Sequence, residues 1–399
     1  MYVVLMRFYR KILQHIEPLL ESREIIVITG MRRVGKTTLL QMIYDQIASD
    51  NKVFLDIENI LEQKVFEEVD YNNIWANLQA YGITNEEKAY IFLDEIQAMP
   101  QIVKAIKYLY DHYDVKFFLT GSSSFYLKNL FPESLAGRKI VFEMFPLTFE
   151  EFLLFKGIEK ESRITFRDKA RHKNRIAYEK TRKLFEEYLA FGGFPQVVLA
   201  SDESQKKLYL KDIFTSYFEM DVRRMADFRQ MSAFRDMLLL LMQRVGSKLE
   251  ISKLSSEIGI SRETVYSYLS FLEGSYFIFR IPPFSRNVDR EVSGTRKVYF
   301  CDNGIINLFG KVSDGALLEN AVFRNIHQHG KVNYYQKRSG AEIDFILPDQ
   351  KTAFEVKKRA HAQDFVKLKK LSDSLNLNEC YVISQDFSEA RESILAQDL

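Results

Sequence analysis

Residues Gly30 to Thr37 read GMRRVGKT, a G-x-x-x-x-G-K-T pattern placed between the apolar run EIIVIT at 24–29 and a helical pattern that begins at Lys36. A strand, a glycine-bearing loop and a helix in that order suit one task, the grip of a phosphate chain. Glycines let the backbone curl until successive N–H groups and the helix start face a single anion. The expected nucleotide-binding set is therefore Gly30, Met31, Arg32, Arg33, Val34, Gly35, Lys36, Thr37 and Thr38. Lys36 is expected to bridge β- and γ-phosphates, and the Thr37 hydroxyl to bind magnesium.

A second apolar run, YIFLDEIQ at 90–97, delivers Asp94 to a strand end, the place where α/β folds bind ligands. Asp94 is expected to hold the magnesium shell and Glu95 to polarise an attacking water. FFLTGSSS puts Thr120, Ser122 and Ser123 at a neighbouring strand end. Ser122 is chosen as the residue that orients the water or senses the γ-phosphate, with a helix cap as the other reading. Arg138, in LAGRKIVFE, is expected either as an arginine finger or as the partner of an acid.

The C-terminal part carries a different pattern. Asp344 lies in AEIDFILP, and Glu355 and Lys357 lie two apart in TAFEVKKR, on one face of a strand. A hairpin between these runs brings two carboxylates and a lysine together, a set suited to a divalent metal and phosphodiester hydrolysis. The arrangement resembles the D-x(n)-E-x-K signature of restriction-endonuclease-like nucleases, and Glu319 in LLENAVF matches the further acid such folds often add. Glu342 is read as an exposed strand residue rather than a ligand.

These residues need elements to hold them. Short β-rich runs alternate with helical patterns up to KIVFEMF, which implies a parallel sheet covered on both faces. From Phe149 the pattern turns helical, and 156–183 holds eleven Lys and Arg against four Asp and Glu. That stretch is either a solvated lid or a nucleic-acid surface. ISKLSSEIGI and SRETVYSYLSFLEGS, followed by YFIFRIPPF and RKVYFCD, read as a winged helix-turn-helix. Its second helix offers Arg262, Glu263, Tyr266, Ser267 and Ser270 outward, and its wing offers Arg286, Arg290, Arg296 and Lys297 for backbone contact with nucleic acid. Packing between the flanking domains is the competing role.

The expected divisions are 1–148 for a P-loop core, 149–234 for a helical lid and linker, 235–312 for the winged helix and 313–399 for a nuclease-like α/β domain. Bulk properties fit several soluble domains: 399 residues, 46% hydrophobic, 28% charged and a net charge of +2. Cys301 and Cys380 are read as small buried hydrophobes and point to a reducing compartment. His327 and His329 are read as a surface pair rather than a zinc site. No run approaches the roughly 20 apolar residues of a membrane span, so a cytoplasmic location is expected.

GMRRVGKTTLL, IFLDEIQ, LTGSSSFYL, LAGR, FPLTFEEF and FGGFP together resemble the bacterial and archaeal AAA-type ATPases of the archaeal-ATPase (STAND-related) group. The resemblance covers nearly the whole chain, and it implies an α/β P-loop fold with a winged helix and a C-terminal nuclease-like domain. Gly30 to Thr37 then stand as Walker A, Asp94 and Glu95 as Walker B, and the turn Gly192 to Pro195 as a lid motif. ATP and Mg2+ are the implied cofactors, with a second divalent metal in the C-terminal domain. The partners considered are DNA or RNA, another protein and a second copy of the chain.

Overall fold

A computed structural model describes residues 9–122, 135, 137–159, 165–222, 231–310, 312–337 and 339–399. Ser123 and residues 160–164 of the basic stretch lie outside the described residues. The chain forms two compact units: Met1–Phe145 with Gly274–Tyr276, and Pro146–Glu273 with Phe277–Leu399. The stretches expected as lid, winged helix and C-terminal domain cluster together in the second.

In the first unit five strands, β1 (Ile25–Gly30), β2 (Lys52–Asp56), β3 (Ala89–Asp94), β4 (Val115–Gly121) and β5 (Lys139–Met144), pair in the order β2-β3-β4-β1-β5. Every pairing is parallel. Strands β1, β3 and β4 are buried at every residue, which is why IIVITG, AYIFLD and VKFFLTG read as unbroken rather than alternating apolar runs. One face buries Trp75, Leu78, Ile102, Ile106 and Leu109 from the helices Tyr71–Ala80 and Ile102–His112. The helix Lys36–Gln46 packs against β1, β3 and β4.

Lys116 is the exception inside β4. Its ammonium is fully buried and donates to the carbonyls of Leu19 (2.8 Å) and Glu24 (2.5 Å) and to the Ser22 hydroxyl (3.1 Å). These bonds replace the water that burial removes. Because all five strands run the same way, Gly30, Asp94 and Thr120 end on one edge of the sheet, and Lys139 begins on the other.

In the second unit, strands β6 (Ile278–Ile281) and β7 (Lys297–Phe300) form an antiparallel pair. They follow the helices Ile251–Ile258 and Arg262–Gly274, and a short helix, Val288–Ser293, lies between them. Then come β8 (Asn333–Gln336), β9 (Glu342–Leu347), β10 (Thr352–Lys357), β11 (Glu379–Ser384) and β12 (Ser393–Leu395), ordered β12-β11-β10-β9-β8. β9 runs antiparallel to both β8 and β10, whereas β10, β11 and β12 are parallel. The helix Ala362–Ser374 makes the crossover from β10 to β11 and buries Leu368 and Leu371 against Ile343, Ile346, Ala353 and Val382. No described helix is long and apolar enough to cross a membrane.

Candidate functional site

The phosphate loop starts from a close approach. Gly30 has φ 153°, and a Cβ there would sit 2.0 Å from the Met144 carbonyl oxygen, so β5 leaves room only for glycine. The loop then takes positive φ at Arg33 (65°) and Gly35 (97°), which turns the backbone into the helix Lys36–Gln46. Lys36 is buried, and its ammonium donates to the Met31 carbonyl at 3.1 Å and lies 3.9 Å from Glu95 Oε1.

Opposite the loop, Thr37 donates its hydroxyl to Asp94 Oδ2 at 2.7 Å. Thr120 donates to the other Asp94 oxygen and accepts the Glu95 N–H at 2.9 Å. Glu95 sits in the left-handed region at φ 52°, a conformation that costs a non-glycine residue on the order of 1 kcal/mol or more and that clusters at functional sites. Its carboxylate accepts from Gln97, which also donates to the Ser122 hydroxyl at 2.9 Å. Ser122 returns its N–H to Gln97 Oε1 at 3.3 Å.

The two acids titrate apart. Burial raises Asp94, and the charge of Glu95 adds to this, while the Thr120 and Thr37 hydroxyls and Lys36 oppose it; the result lies above the ordinary value. Burial also raises Glu95, but Lys36, Gln97, Arg32 and Ser122 together outweigh it and hold its carboxyl below the usual value.

The structure brings Gly30 through Thr38, Asp94, Glu95 and Ser122 to one sheet edge. Thr120, passed over in favour of Ser122, bonds the Asp94 carboxylate and the Glu95 backbone N–H. Gln97 was missed, although it stands inside the quoted run YIFLDEIQ; only the turn after Asp94 brings it back onto Glu95. Arg138 is a correction. It precedes β5 and therefore lies at the far edge, six positions from Met144, or roughly 20 Å at about 3.3 Å per residue. There it pairs with Asp111 through Nε at 3.2 Å and is no arginine finger for its own site.

A second cluster forms in the other unit. Strands β9 and β10 pair so that Asp344 Oδ2 accepts the Val356 N–H at 2.7 Å, between Glu355 and Lys357. Lys357 donates to Glu355 Oε1 at 2.7 Å, while Glu355 Oε2 is buried with no hydrogen-bond partner. Glu319, on the helix Asp314–Ile326, accepts the Tyr299 hydroxyl at 2.6 Å. Burial is the first cause raising Glu319, Asp344 and Glu355, and the Asp344 charge adds to it for both glutamates.

Three surface readings change here. Lys297, taken for a wing residue facing nucleic acid, is buried and bonds Glu342 at 2.5 Å and Glu319 at 3.5 Å. Glu342 is accordingly paired rather than simply exposed. His327 packs on Phe279 at 4.8 Å, and burial followed by the Arg324 charge depresses its pKa to about 3. Among the described residues no group of three His, Cys, Asp or Glu is arranged to hold a metal ion.

Three described cations of the basic stretch are paired within the second unit. Arg167 pairs with Glu379, Lys169 donates to the Leu399 carbonyl at 2.9 Å, and Lys173 donates to the Ser393 hydroxyl at 2.8 Å. The Gly192 to Pro195 turn is also held: Asp302, fully buried, accepts the Gly193 N–H at 2.6 Å and the Gly304 N–H at 2.8 Å. Arg262, Glu263, Tyr266, Ser267 and Ser270 are exposed as expected from their spacing.

A parallel sheet whose first strand runs into G-x-x-x-x-G-K-T and whose third ends in Asp-Glu defines a P-loop nucleotide-binding ATPase of the AAA class, and residues 22–153 match the family model described as an AAA domain. Residues 182–315 and 314–393 match two domains of unknown function, DUF8612 and DUF4143. The chain belongs to the family of the uncharacterized protein MJ1544 of Methanocaldococcus jannaschii, with which it is 32% identical over 344 residues, 83% of this chain and 74% of that one. An uncharacterized protein of Haemophilus influenzae is 29% identical over 357 residues, 85% of this chain and 84% of the relative. Among solved structures, the ORC2 protein of Aeropyrum pernix superposes on 80% of this chain and 95% of its own with 10% identity and a TM-score of 0.44.

Proposed function

We propose that the protein is a magnesium-dependent ATP hydrolase. The observation that carries the reading is the meeting of the Thr37 hydroxyl and the Asp94 carboxylate at 2.7 Å, with the Lys36 ammonium 3.9 Å from Glu95. Two hard oxygen donors at that spacing fit a magnesium shell, and a bound ion would supply charge neutralisation on the β- and γ-oxygens. The loop amides and Lys36 bind and orient the triphosphate. Water attacks the γ-phosphorus in line, its proton passes to Glu95, and ADP leaves with the electrons of the broken bond. Gln97 and Ser122 hold the Glu95 carboxylate in place, and Thr120 fixes Asp94 and the Glu95 backbone together.

Wild type and Lys36→Ala should be compared for MgATP and MgGTP binding, and Glu95→Gln for turnover. Binding lost in Lys36→Ala, with binding kept and turnover down about a hundredfold or more in Glu95→Gln, is the expected pattern. Wild-type protein without affinity for either magnesium nucleotide would sink the reading.

We further propose that the C-terminal unit is a nuclease-like module associated with nucleic acid and rearranged by the ATPase cycle. The convergence of Asp344, Glu355, Lys357 and Glu319 supports it, and the orphaned Glu355 oxygen suits a divalent ion. The fit is incomplete, since Lys297 already occupies Glu319 and Glu342, and no cleavage step is derived. That lysine favours the alternative, a nucleotide-dependent switch whose nuclease fold does not cut. Cleavage of DNA or RNA with Mg2+ or Mn2+, abolished in Asp344→Ala while ATP turnover survives, selects the first; turnover indifferent to nucleic acid and no cleavage select the second.

A further inference from the structure

Arg10 lies far from the phosphate motif in sequence, yet its guanidinium is buried and donates to two main-chain carbonyls, Val34 at 2.8 Å and Phe145 at 2.7 Å. Val34 belongs to the phosphate loop; Phe145 follows Met144, whose carbonyl already presses on Gly30. The planar fork of arginine serves two fixed acceptors at once, which a lysine ammonium on a flexible stem does less well.

The Val34 carbonyl and the Gly35 N–H share one planar trans peptide, so they point in opposite directions. Holding that carbonyl outward, toward Arg10, aims the Gly35 N–H the other way, toward the concave side of the loop. The hold matters here because Gly35 has φ 97° and no side chain to resist rotation of the peptide plane. A buried carbonyl also needs a donor, and Arg10 supplies it.

We infer that Arg10 is a positioning residue for the phosphate loop, setting the Val34–Gly35 peptide in the orientation that receives a nucleotide phosphate and tying it to the end of β5. The inference rests on the nucleotide-binding reading above. Arg10 touches no phosphate in this scheme; it acts through the peptide it pins.

The test uses the full chain with Arg10→Lys, Arg10→Gln and Arg10→Ala. Dissociation constants for MgATP, MgADP and adenosine are measured beside the thermal midpoint of the nucleotide-free protein. Affinity for MgATP and MgADP should fall about tenfold in Arg10→Gln, less in Arg10→Lys, and adenosine binding should not change. Millimolar methylguanidinium should restore part of the loss in Arg10→Ala. Variants that bind MgATP as wild type does, or that lose only thermal stability with unchanged affinity per folded molecule, overturn the latch. Wild-type protein that binds no nucleotide sinks the underlying reading instead, so the two failures are distinguishable.

Discussion

The phosphate site and the acid–lysine cluster both gather carboxylates around lysine, but they are built in opposite ways. At the first, one contiguous loop supplies main-chain amides, and two neighbouring strand ends add Asp94 and Thr120. At the second, Lys297, Glu319, Glu342, Asp344, Glu355 and Lys357 arrive from four separate elements, and the lysines bond the glutamates directly. The first site spends its hydrogen bonds on shaping a receptacle for an external anion. The second pairs both of its lysines with three of its own four carboxylates. A backbone-built site answers to a motif, whereas a side-chain-built one exists only when the sheet closes.

Four substitutions or conditions would break or sharpen that contrast. The largest effect is expected for Lys36→Ala: MgATP affinity should fall on the order of a thousandfold, read by calorimetry, because a desolvated charge aimed at phosphate is removed. Lys297→Met should act on stability instead. It strands two half-buried carboxylates and should cost about 3 kcal/mol in urea unfolding, with Lys297→Met/Glu319→Gln recovering part of it. A Lys297→Met protein as stable as wild type would show that the cluster is not internally neutralised.

Smaller per unit of pH is an effect at Asp302, whose carboxyl burial pushes up to about 7 against the N–H groups of Gly193 and Gly304 and the Arg324 charge. In the unfolded chain it releases its proton near the usual aspartate value of about 4. Between those pH values the folded state holds the extra proton, so this contribution to stability is present below pH 4 and is lost as pH rises through 7. Its slope is at most about 1.4 kcal/mol per pH unit. Asp302→Asn should flatten the profile; an unchanged slope from pH 5 to 8 would assign it to other groups. The least effect is expected at Arg138→Ala, with turnover within about twofold of wild type and stability within about 1 kcal/mol, since its ion pair with Asp111 is partly exposed. A large loss of turnover there would return an arginine finger to consideration, supplied from a second copy.

Much of the first site was legible. Gly30, Gly35, Lys36 and Thr37 stand in one run, and Asp94 ends the next fully buried strand with Glu95 directly after it. Arg138 was left open between an arginine finger and the partner of an acid although the means to choose were at hand: in a parallel sheet, a residue just before a strand lies at the edge away from one just after. Gln97 was hidden by a turn with left-handed Glu95. Lys297 was misread because Arg290, Glu291 and Arg296 around it look like a solvated wing, and its partners Glu319 and Glu342 are 22 and 45 positions away in sequence. Three cations of the basic stretch were hidden for the same reason, since Arg167, Lys169 and Lys173 find their acceptors more than two hundred positions later.

Sequence alone determined the parallel α/β unit and its phosphate loop, because strand burial, loop curvature and helix start are local consequences of apolar runs, glycine and capping. Tertiary structure alone decided which charges are free to meet a ligand. Whether a lysine or a carboxylate faces solvent, substrate or its opposite charge depends on partners that the chain brings near only after its sheets have paired.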